Sequence, residues 1–400
     1  MTGSFLKLQV KGQQDKYLTK NWTRNFFENK YENHCDFAVE RIKTYFIEDA
    51  NFGKKITLTF PRRADLLSKV YFYFKLPALT KIDGSYAGWT NNLGHSIIDY
   101  VELEIGTRTI SKYYGLYMDI WEELTSENNF ENSLLGKYSN ADQLKISGNA
   151  DSKYLVKLPF WFCKGISSAL PLFLLDYHQV RVIIKLKPFS DCVIYDGTVQ
   201  PLPVKMEDAY LLCDYIFIED ALKAKMKAYS HTILIEQLQY KDTQGDDTNN
   251  SIGVFKTDLP FNHPVSEILW VFIEEASMAN NDWFNFSKRN ITPSTKVYSI
   301  MKNAKLSIDG KDYTEKTDEL IFRSSNDHKN NTDRHIYSIP FCLYPEISEP
   351  SGSLNFSKLD SVELYGDLRT PTPNNRLYIF ARNHNWLTIQ NGMSSLLFIS

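Results

Sequence analysis

Eight histidines, five cysteines and 48 acidic residues are the groups from which this 400-residue chain would have to build a reactive centre. Their spacing assembles none. No HExxH run sets two imidazoles and a carboxylate on one helical turn. His34 beside Cys35, and His328 close to His335, are the nearest approach to metal-ligand pairs, and ordinary polar or packed histidines are the preferred reading. Asp242, Gln244, Asp246 and Gly253 imitate the opening of a calcium loop but lack the glutamate that would close it. Glu122-Glu123 and Glu274-Glu275 are adjacent, so on a regular element their carboxylates diverge and cannot flank a glycosidic bond. There is no glycine-rich phosphate loop and no GxSxG elbow. Cys35, Cys163, Cys192, Cys213 and Cys342 are odd in number, far apart and without a CxxC pair. Three of them lie in apolar runs, which predicts free thiols in a reducing compartment and no disulfide. The expectation is a chain with no catalytic, cofactor-binding or metal-binding residues, requiring no cofactor: not an enzyme.

The elements that would have to position any site are mostly strands. Hydrophobic residues make up 43% of the chain and aromatics 14%, carried by Phe and Tyr, which suits pleated and half-buried surfaces. In the first half, strands are predicted at 54–60, 68–76, 100–110, 179–187 and 209–218. One helix is predicted at 113–125, where Leu116, Ile120 and Leu124 share a face. The second half follows with strands at 231–239, 266–274, 303–311, 335–343, 360–366 and 375–383. Between these lie polar, Asn-rich segments at 241–251, 278–295 and 324–333, read as exposed loops.

Laid side by side, the halves repeat. VELEIGTRTI (101–110) is similar to AKLSIDGKDY (304–313), the Phe-Cys segment at 160–184 to that at 339–364, and AYLLCDYIFI (209–218) to RLYIFARNHNWL (376–387). Three pairs in the same order argue for two similar antiparallel β-domains in tandem, joined within 218–229 and placed so that each covers the other's edges.

The formal net charge is −3, and no basic stripe is present. Lys54-Lys55 and the Lys223, Lys225, Lys227 alternation are the only candidates, and both read as solvated strand or linker faces. Direct nucleic-acid binding is therefore not expected. The first residues lack a signal-peptide core, and no apolar run approaches the ~20 residues of a membrane helix. The reading is a soluble protein made in the cytosol. Sequons at Asn21, Asn249, Asn285, Asn290, Asn330 and Asn355 are read as chance in an Asn-rich chain.

Five blocks of the sequence carry a family resemblance. They are VKGQQDKYLT with FFENKYENHCDFAVE, the helix-containing block 93–125, LPFWFCKGISSALPLFLLDYHQVRVIIKLKP (158–188), YSIPFCLYPEISEPSGSLNFSKLD (337–360) and the closing ARNHNWLTIQNGMSSLLFIS. In this order they resemble the motifs of the major capsid proteins of nucleocytoplasmic large DNA viruses. Lys20-Asn21-Trp22 and Glu32-Asn33 depart from the family's usual residues, which bears on the contacts of the N-terminal arm.

The resemblance implies an all-β chain of two tandem eight-stranded antiparallel jelly rolls, with short helices in the connections. It divides the chain into an arm at 1–24, a first roll at 25–218 and a second at 219–400. It implies a homotrimer of six-cornered outline that tiles an icosahedral virion shell, assembled in the host cytoplasm. Partners would be neighbouring capsomers, minor capsid and penton proteins and, indirectly, inner-membrane proteins, with no direct nucleic acid. Trp161, Phe162 and Trp386 are candidates for the apolar subunit contact. Trp89 and Trp283-Phe284, aromatics in polar loops, either touch a host glycan or a neighbouring capsomer or, the preferred reading, pack onto their own domain. The alternatives are a paralogous minor capsomer protein, a lectin-like sandwich and a β-sandwich glycosidase.

Overall fold

The computed structural model describes residues 10, 12–21, 25–27, 33–126, 129–243, 253–288, 298–324, 328–330, 332–369 and 375–399. Two compact units are present, Met1–Asp36 and Phe37–Ser400. In the first, a short helix Gln13–Thr19 is opened by Asp15, whose Oδ2 accepts the Gly12 amide at 2.8 Å. Trp22 and Glu32, two of the family departures, lie outside the described residues.

The second unit holds the sheets. Its first roll contains β1 (Phe37–Tyr45), β2 (Lys55–Thr59), β3 (Leu66–Leu76), β4 (Ile98–Ile105), β5 (Arg108–Tyr114), β6 (Ser152–Lys157), β7 (Val180–Leu186) and β8 (Glu207–Ile218). The second roll contains β9 (His231–Asp242), β10 (Val254–Asp258), β11 (Pro264–Glu274), β12 (Met301–Ile308), β13 (Lys311–Asp312), β14 (Tyr337–Pro340), β15 (Val362–Leu368) and β16 (Asn375–Gln390). The first roll pairs β1-β8-β3-β6 in one sheet and β2-β7-β4-β5 in the other, all antiparallel. The second pairs β9-β16-β11-β14 and β10-β15-β12-β13, the same order with every strand number advanced by eight. This is the jelly-roll pattern twice over.

The repetition reaches the level of single hydrogen bonds. In each roll a β-bulge interrupts the central pair of the first sheet, between Cys213 and Tyr215 in one and between Val265 and Glu267 in the other. A serine sits beside each bulge: Ser68 Oγ donates to the Asp214 carbonyl and Ser266 Oγ to the Arg382 carbonyl, both at 3.2 Å. After the sixth strand of each roll, a two-residue strand returns to the start of the third: Leu170–Pro171 onto Leu66 and Leu67, and Leu354–Asn355 onto Pro264 and Val265. The β12–β13 hairpin turns on Asp309-Gly310, both at positive φ (48° and 75°), the conformation a two-residue turn requires.

Alternation along the strands fills the cores. Val70, Phe72, Phe74 and Leu76 of β3 are fully buried, whereas Lys69, Tyr71, Tyr73 and Lys75 point away from the first core. In β11 both faces are apolar and buried: Ile268, Trp270 and Phe272 join the second core, and Leu269, Val271 and Ile273 join the first. A single apolar cluster therefore runs through the first roll and across its boundary with the second.

Several sequence expectations need correction. Strands β1, β6 and β10 are present where none was predicted, and the segment 100–110 is a hairpin of two strands. The predicted helix 113–125 begins at Gly115 and is α1 (Gly115–Thr125). A side chain at Gly115 would bring a Cβ within 2.2 Å of the Ile98 carbonyl and 2.3 Å of that of His95, so only glycine permits the strand-to-helix junction. The Lys223, Lys225, Lys227 run is one short helix, α2 (Asp220–Lys227), with Lys223 Nζ 3.0 Å from Asp65.

Candidate functional site

The chemically dense part of the molecule is the junction between the rolls. The outer face of the β9-β16-β11 sheet is covered by β5, α1 and the turn after β6. Tyr114 lies on Tyr240 (ring centroids 4.3 Å apart) and Tyr117 on Phe380 (5.5 Å). The Tyr113 hydroxyl donates to the Glu236 carbonyl at 3.3 Å. At the centre sits Arg382, 3.3 Å from Glu236, 3.2 Å from Glu267 and 2.7 Å from the Pro345 carbonyl, with its guanidinium 4.0 Å from the Trp121 ring centroid. Lys164 Nζ reaches Glu236 at 2.5 Å across the boundary. His328 Nε2 lies 2.6 Å from Glu267. Burial works against ionisation of Glu236, yet Arg382 and Lys164 together hold its carboxyl below the usual range. The carboxylates and cations satisfy one another at a largely buried junction, and deleting one member would strand the others.

A second clamp lies beside it. Arg334, from the connection before β14, is 2.7 Å from Asp119 and 3.2 Å from Glu123 on α1, and also donates to the Phe284 carbonyl at 2.7 Å. Burial opposes ionisation of both carboxylates, and Arg334 and Lys137 together offset it, helped by the Thr332 hydroxyl at Glu123, so both stay below their ordinary pKa. Asn330 Nδ2 donates to the carbonyls of Glu123 (3.1 Å) and Ser126 (2.8 Å). His95, buried under α1, is pushed down to about 4 by that burial. It is therefore neutral near pH 7, accepting from Asn92 Nδ2 (3.2 Å) and donating from Nε2 to Glu122 (3.3 Å).

Over their described residues, these contacts correct the reading of 278–295 and 324–333 as plain exposed loops, while residues 244–251 of the first polar segment lie outside the described residues. Trp283 is docked on the first roll, not its own: its Nε1 donates to the Asp191 carbonyl at 2.8 Å, and the Lys187 ammonium lies 3.9 Å from the ring centroid. Asn281 donates to the carbonyls of Ser190 (2.7 Å) and Val193 (2.8 Å). His328 is buried with Glu267 and is separate from His335, which is also buried. Trp89 is fully buried, stacked with Phe52 at 6.0 Å. Trp161 and Phe162 are buried in the chain's own core and are not available to a subunit contact. Trp386 is half-buried. All five cysteines are free, three of them buried, and among the described residues no group of three or more His, Cys, Asp or Glu is placed to hold a metal ion. Gln244 and Asp246 of the calcium-loop imitation, and Asn249 and Asn290 of the sequons, lie outside the described residues. No described helix is long and apolar enough to cross a membrane.

The first roll carries the counterpart of the covered face, and it is open. The registers place Asp214 where the second roll has Arg382, Lys69 for Glu267, Arg41 for Leu238, Val39 for Glu236 and Tyr210 for Tyr378. Asp214 is held by Arg41 at 2.6 and 2.9 Å, and Tyr210 stacks on Tyr73 at 4.6 Å with the Lys43 ammonium 4.8 Å from its centroid. Val39 is 52% exposed and Tyr45 65%. The sign of the central charge is thus reversed between two faces of one design, and among the described residues only one of them is covered.

Two rolls locked by buried ions, with a prepared sheet face left open, define a building block of a larger assembly. The comparisons with known proteins agree. Residues 25–219 match the family model of the major capsid protein N-terminus, and residues 223–395 that of the large eukaryotic DNA virus major capsid protein. The major capsid protein of Pyramimonas orientalis virus is 30% identical over 421 residues, covering 100% of both chains. That of Paramecium bursaria Chlorella virus 1 is 26% identical over 447 residues, again with 100% of each chain covered. Among solved structures, a chain of the PBCV-1 virus capsid superposes with a TM-score of 0.81 at 22% identity, over 94% of this chain and 100% of that one. The Faustovirus major capsid protein gives 0.72 at 12% identity, over 95% of each chain. The chain belongs to the major capsid protein family of large eukaryotic double-stranded DNA viruses. Its fold is the double jelly roll, and its role is that of a structural capsid subunit.

Proposed function

We propose that this chain builds the virion shell as a homotrimer whose six rolls form a pseudo-hexagonal capsomer. The observation that carries this is the pairing of surfaces. Each chain covers the sheet face of its second roll with its own first roll, and among the described residues leaves the equivalent face of its first roll uncovered. A head-to-tail ring of three chains would cover all six, by a heterologous contact that closes. The proposal keeps the arm at 1–24 and the rolls at 25–218 and 219–400, supported by the two eight-strand sets on either side of α2. It includes lateral contacts with neighbouring capsomers and with minor capsid and penton proteins, indirect contact with inner-membrane proteins, assembly in the host cytoplasm, no direct nucleic-acid binding, and no enzymatic, cofactor or metal site. Light scattering of the purified chain tests it: the expected mass is three times 46.4 kDa and resists dilution. A folded monomer at micromolar concentration would contradict it.

A further inference from the structure

Away from the junction and from the open sheet face, the second roll gathers another set of charged and polar groups, which shell building does not use. The short helix α3 (Glu319–Ser324) carries Glu319, Phe322 and Arg323 three and four residues apart, which puts them on one face. Phe322 is buried and packs edge-on against Trp270 of β11, with ring centroids 5.4 Å apart. Tyr337 opens β14, pairs with Trp270 in the sheet register and has its ring 5.7 Å from the Trp270 ring. His335 lies two residues before Tyr337, and Arg369 directly follows β15. Aromatic packing thus decides which cations and which carboxylate meet in this part of the roll.

The charges here do not close on one another. Glu319 Oε2 is 3.8 Å from Arg323 Nη1, and Glu319 Oε1 is 3.6 Å from Arg369 Nη2, both beyond a good hydrogen bond. Burial pushes the Glu319 carboxyl above its usual range, and the two guanidiniums only partly offset this. Asp318 beside it is exposed and spends one oxygen on the Leu320 amide. Two cations therefore face one buried carboxylate that resists ionisation, and positive charge is left over. Donors are in surplus too. Trp270 Nε1 is buried and has no hydrogen-bond partner among the described residues, nor has Arg323 Nε, nor either ring nitrogen of His335. His335 is pushed down to about 4, by burial first and then by Arg323 and Arg369, so near pH 7 its ring is neutral and offers one N–H. Buried polar groups are nearly always hydrogen-bonded, so three N–H donors beside surplus positive charge call for an acceptor that carries negative charge.

We propose that this cluster is a binding site for a small inorganic anion of chloride size, held by the N–H groups of Trp270, His335 and Arg323, with the half-exposed Arg369 at its mouth. A monatomic anion accepts from several N–H groups at once and has no orientation of its own. That suits donors fixed on three separate elements. The anion would tie α3 to β11 and β14, and since the unfolded chain has no such site, binding would stabilise the second roll.

Bromide is the probe, because it is close to chloride in size and visible by anomalous scattering. The full chain is melted in increasing sodium bromide, with sodium gluconate holding the ionic strength constant. The melting midpoint is expected to rise by about 2 °C for each tenfold increase in bromide above its Kd. Arg323→Gln and His335→Phe each remove a donor, and each is expected to lose that rise while circular dichroism shows the β-structure intact. Because a donor variant can fail to fold, crystals of the unaltered chain grown in bromide give a second reading. One anomalous peak in contact with Arg323, His335 and Trp270 is expected. Water at that place together with a midpoint indifferent to bromide overturns the proposal. A peak without any effect on the midpoint means an adventitious ion only, and a rise that survives in both folded variants puts the bromide elsewhere; either result overturns it as well.

Discussion

The sheet around Arg382 and the sheet around Asp214 have the same strand order, register and bulge, but opposite surroundings. The first is covered by α1 and carries a cation between two carboxylates. The second is open and carries a carboxylate gripped by a half-exposed arginine. The repeated backbone sets where side chains stand, and the covering surface sets which side chains are tolerable there. An ion inside a buried junction must be fully paired, whereas an ion at an open sheet face can fall back on water.

Removing the central charge of each face should break the comparison most visibly. Arg382→Met strands Glu236 and Glu267, and should cost about 3–5 kcal/mol of stability. Asp214→Asn on the open face should cost about 1 kcal/mol. Urea unfolding of both variants, in one background, measures the difference. Similar losses would mean that the two faces are not energetically distinct.

Acid should act on the junction next. His95 falls from 6.5 to about 4 in the folded protein because it is buried. Its folded pKa is lower than its unfolded one, so the unfolded chain takes up the proton first. The stability tied to the neutral ring is complete above pH 6.5 and is lost as the pH falls towards 4, by an amount on the order of 3 kcal/mol. Thermal melts from pH 7 to pH 4 should show this slope, and His95→Gln should flatten it.

The docked loop gives a smaller effect. Trp283→Ala removes the hydrogen bond to Asp191 and the ring under Lys187, and should cost about 2 kcal/mol. Limited proteolysis should then cut within 278–288 before any other described segment, whereas the unaltered loop should resist. The smallest change belongs to the open face. Tyr73→Ser should alter the stability of a monomeric form by about 0.5 kcal/mol, measurable as a small shift in urea midpoint.

How much was legible in the sequence follows from burial. Strand β11 is read directly from SEILWVFIE because both of its faces are apolar, and the bulged pairs at 209–218 and 376–387 are recognisable because each must fill a core on one side. Strand β1 was missed because it lies at a sheet edge and FAVERIKTY exposes nearly every other side chain, leaving only Ile42 packed on the core. Strands β6 and β10 are short and lysine-bearing, for the same reason. Among the candidate site residues, His328 and His335 are read from the sequence as ordinary polar or packed histidines, and both are buried, but the junction has no counterpart in that reading. Arg382, Glu236, Glu267 and Lys164 are separated by up to hundreds of residues, and single charges in apolar strands give no local signal of a shared partner. The one available clue was that each lies inside a hydrophobic run, where a charge needs a countercharge.

The central claim, that the open face of the first roll is a subunit contact, is tested most directly by a side-chain-resolution electron cryomicroscopy reconstruction of the purified assembly. The account predicts the β1-β8-β3 face around Val39 of one copy packed within about 4 Å of side chains of the next. A reconstruction in which that face borders solvent, with the copies joined elsewhere, would contradict it.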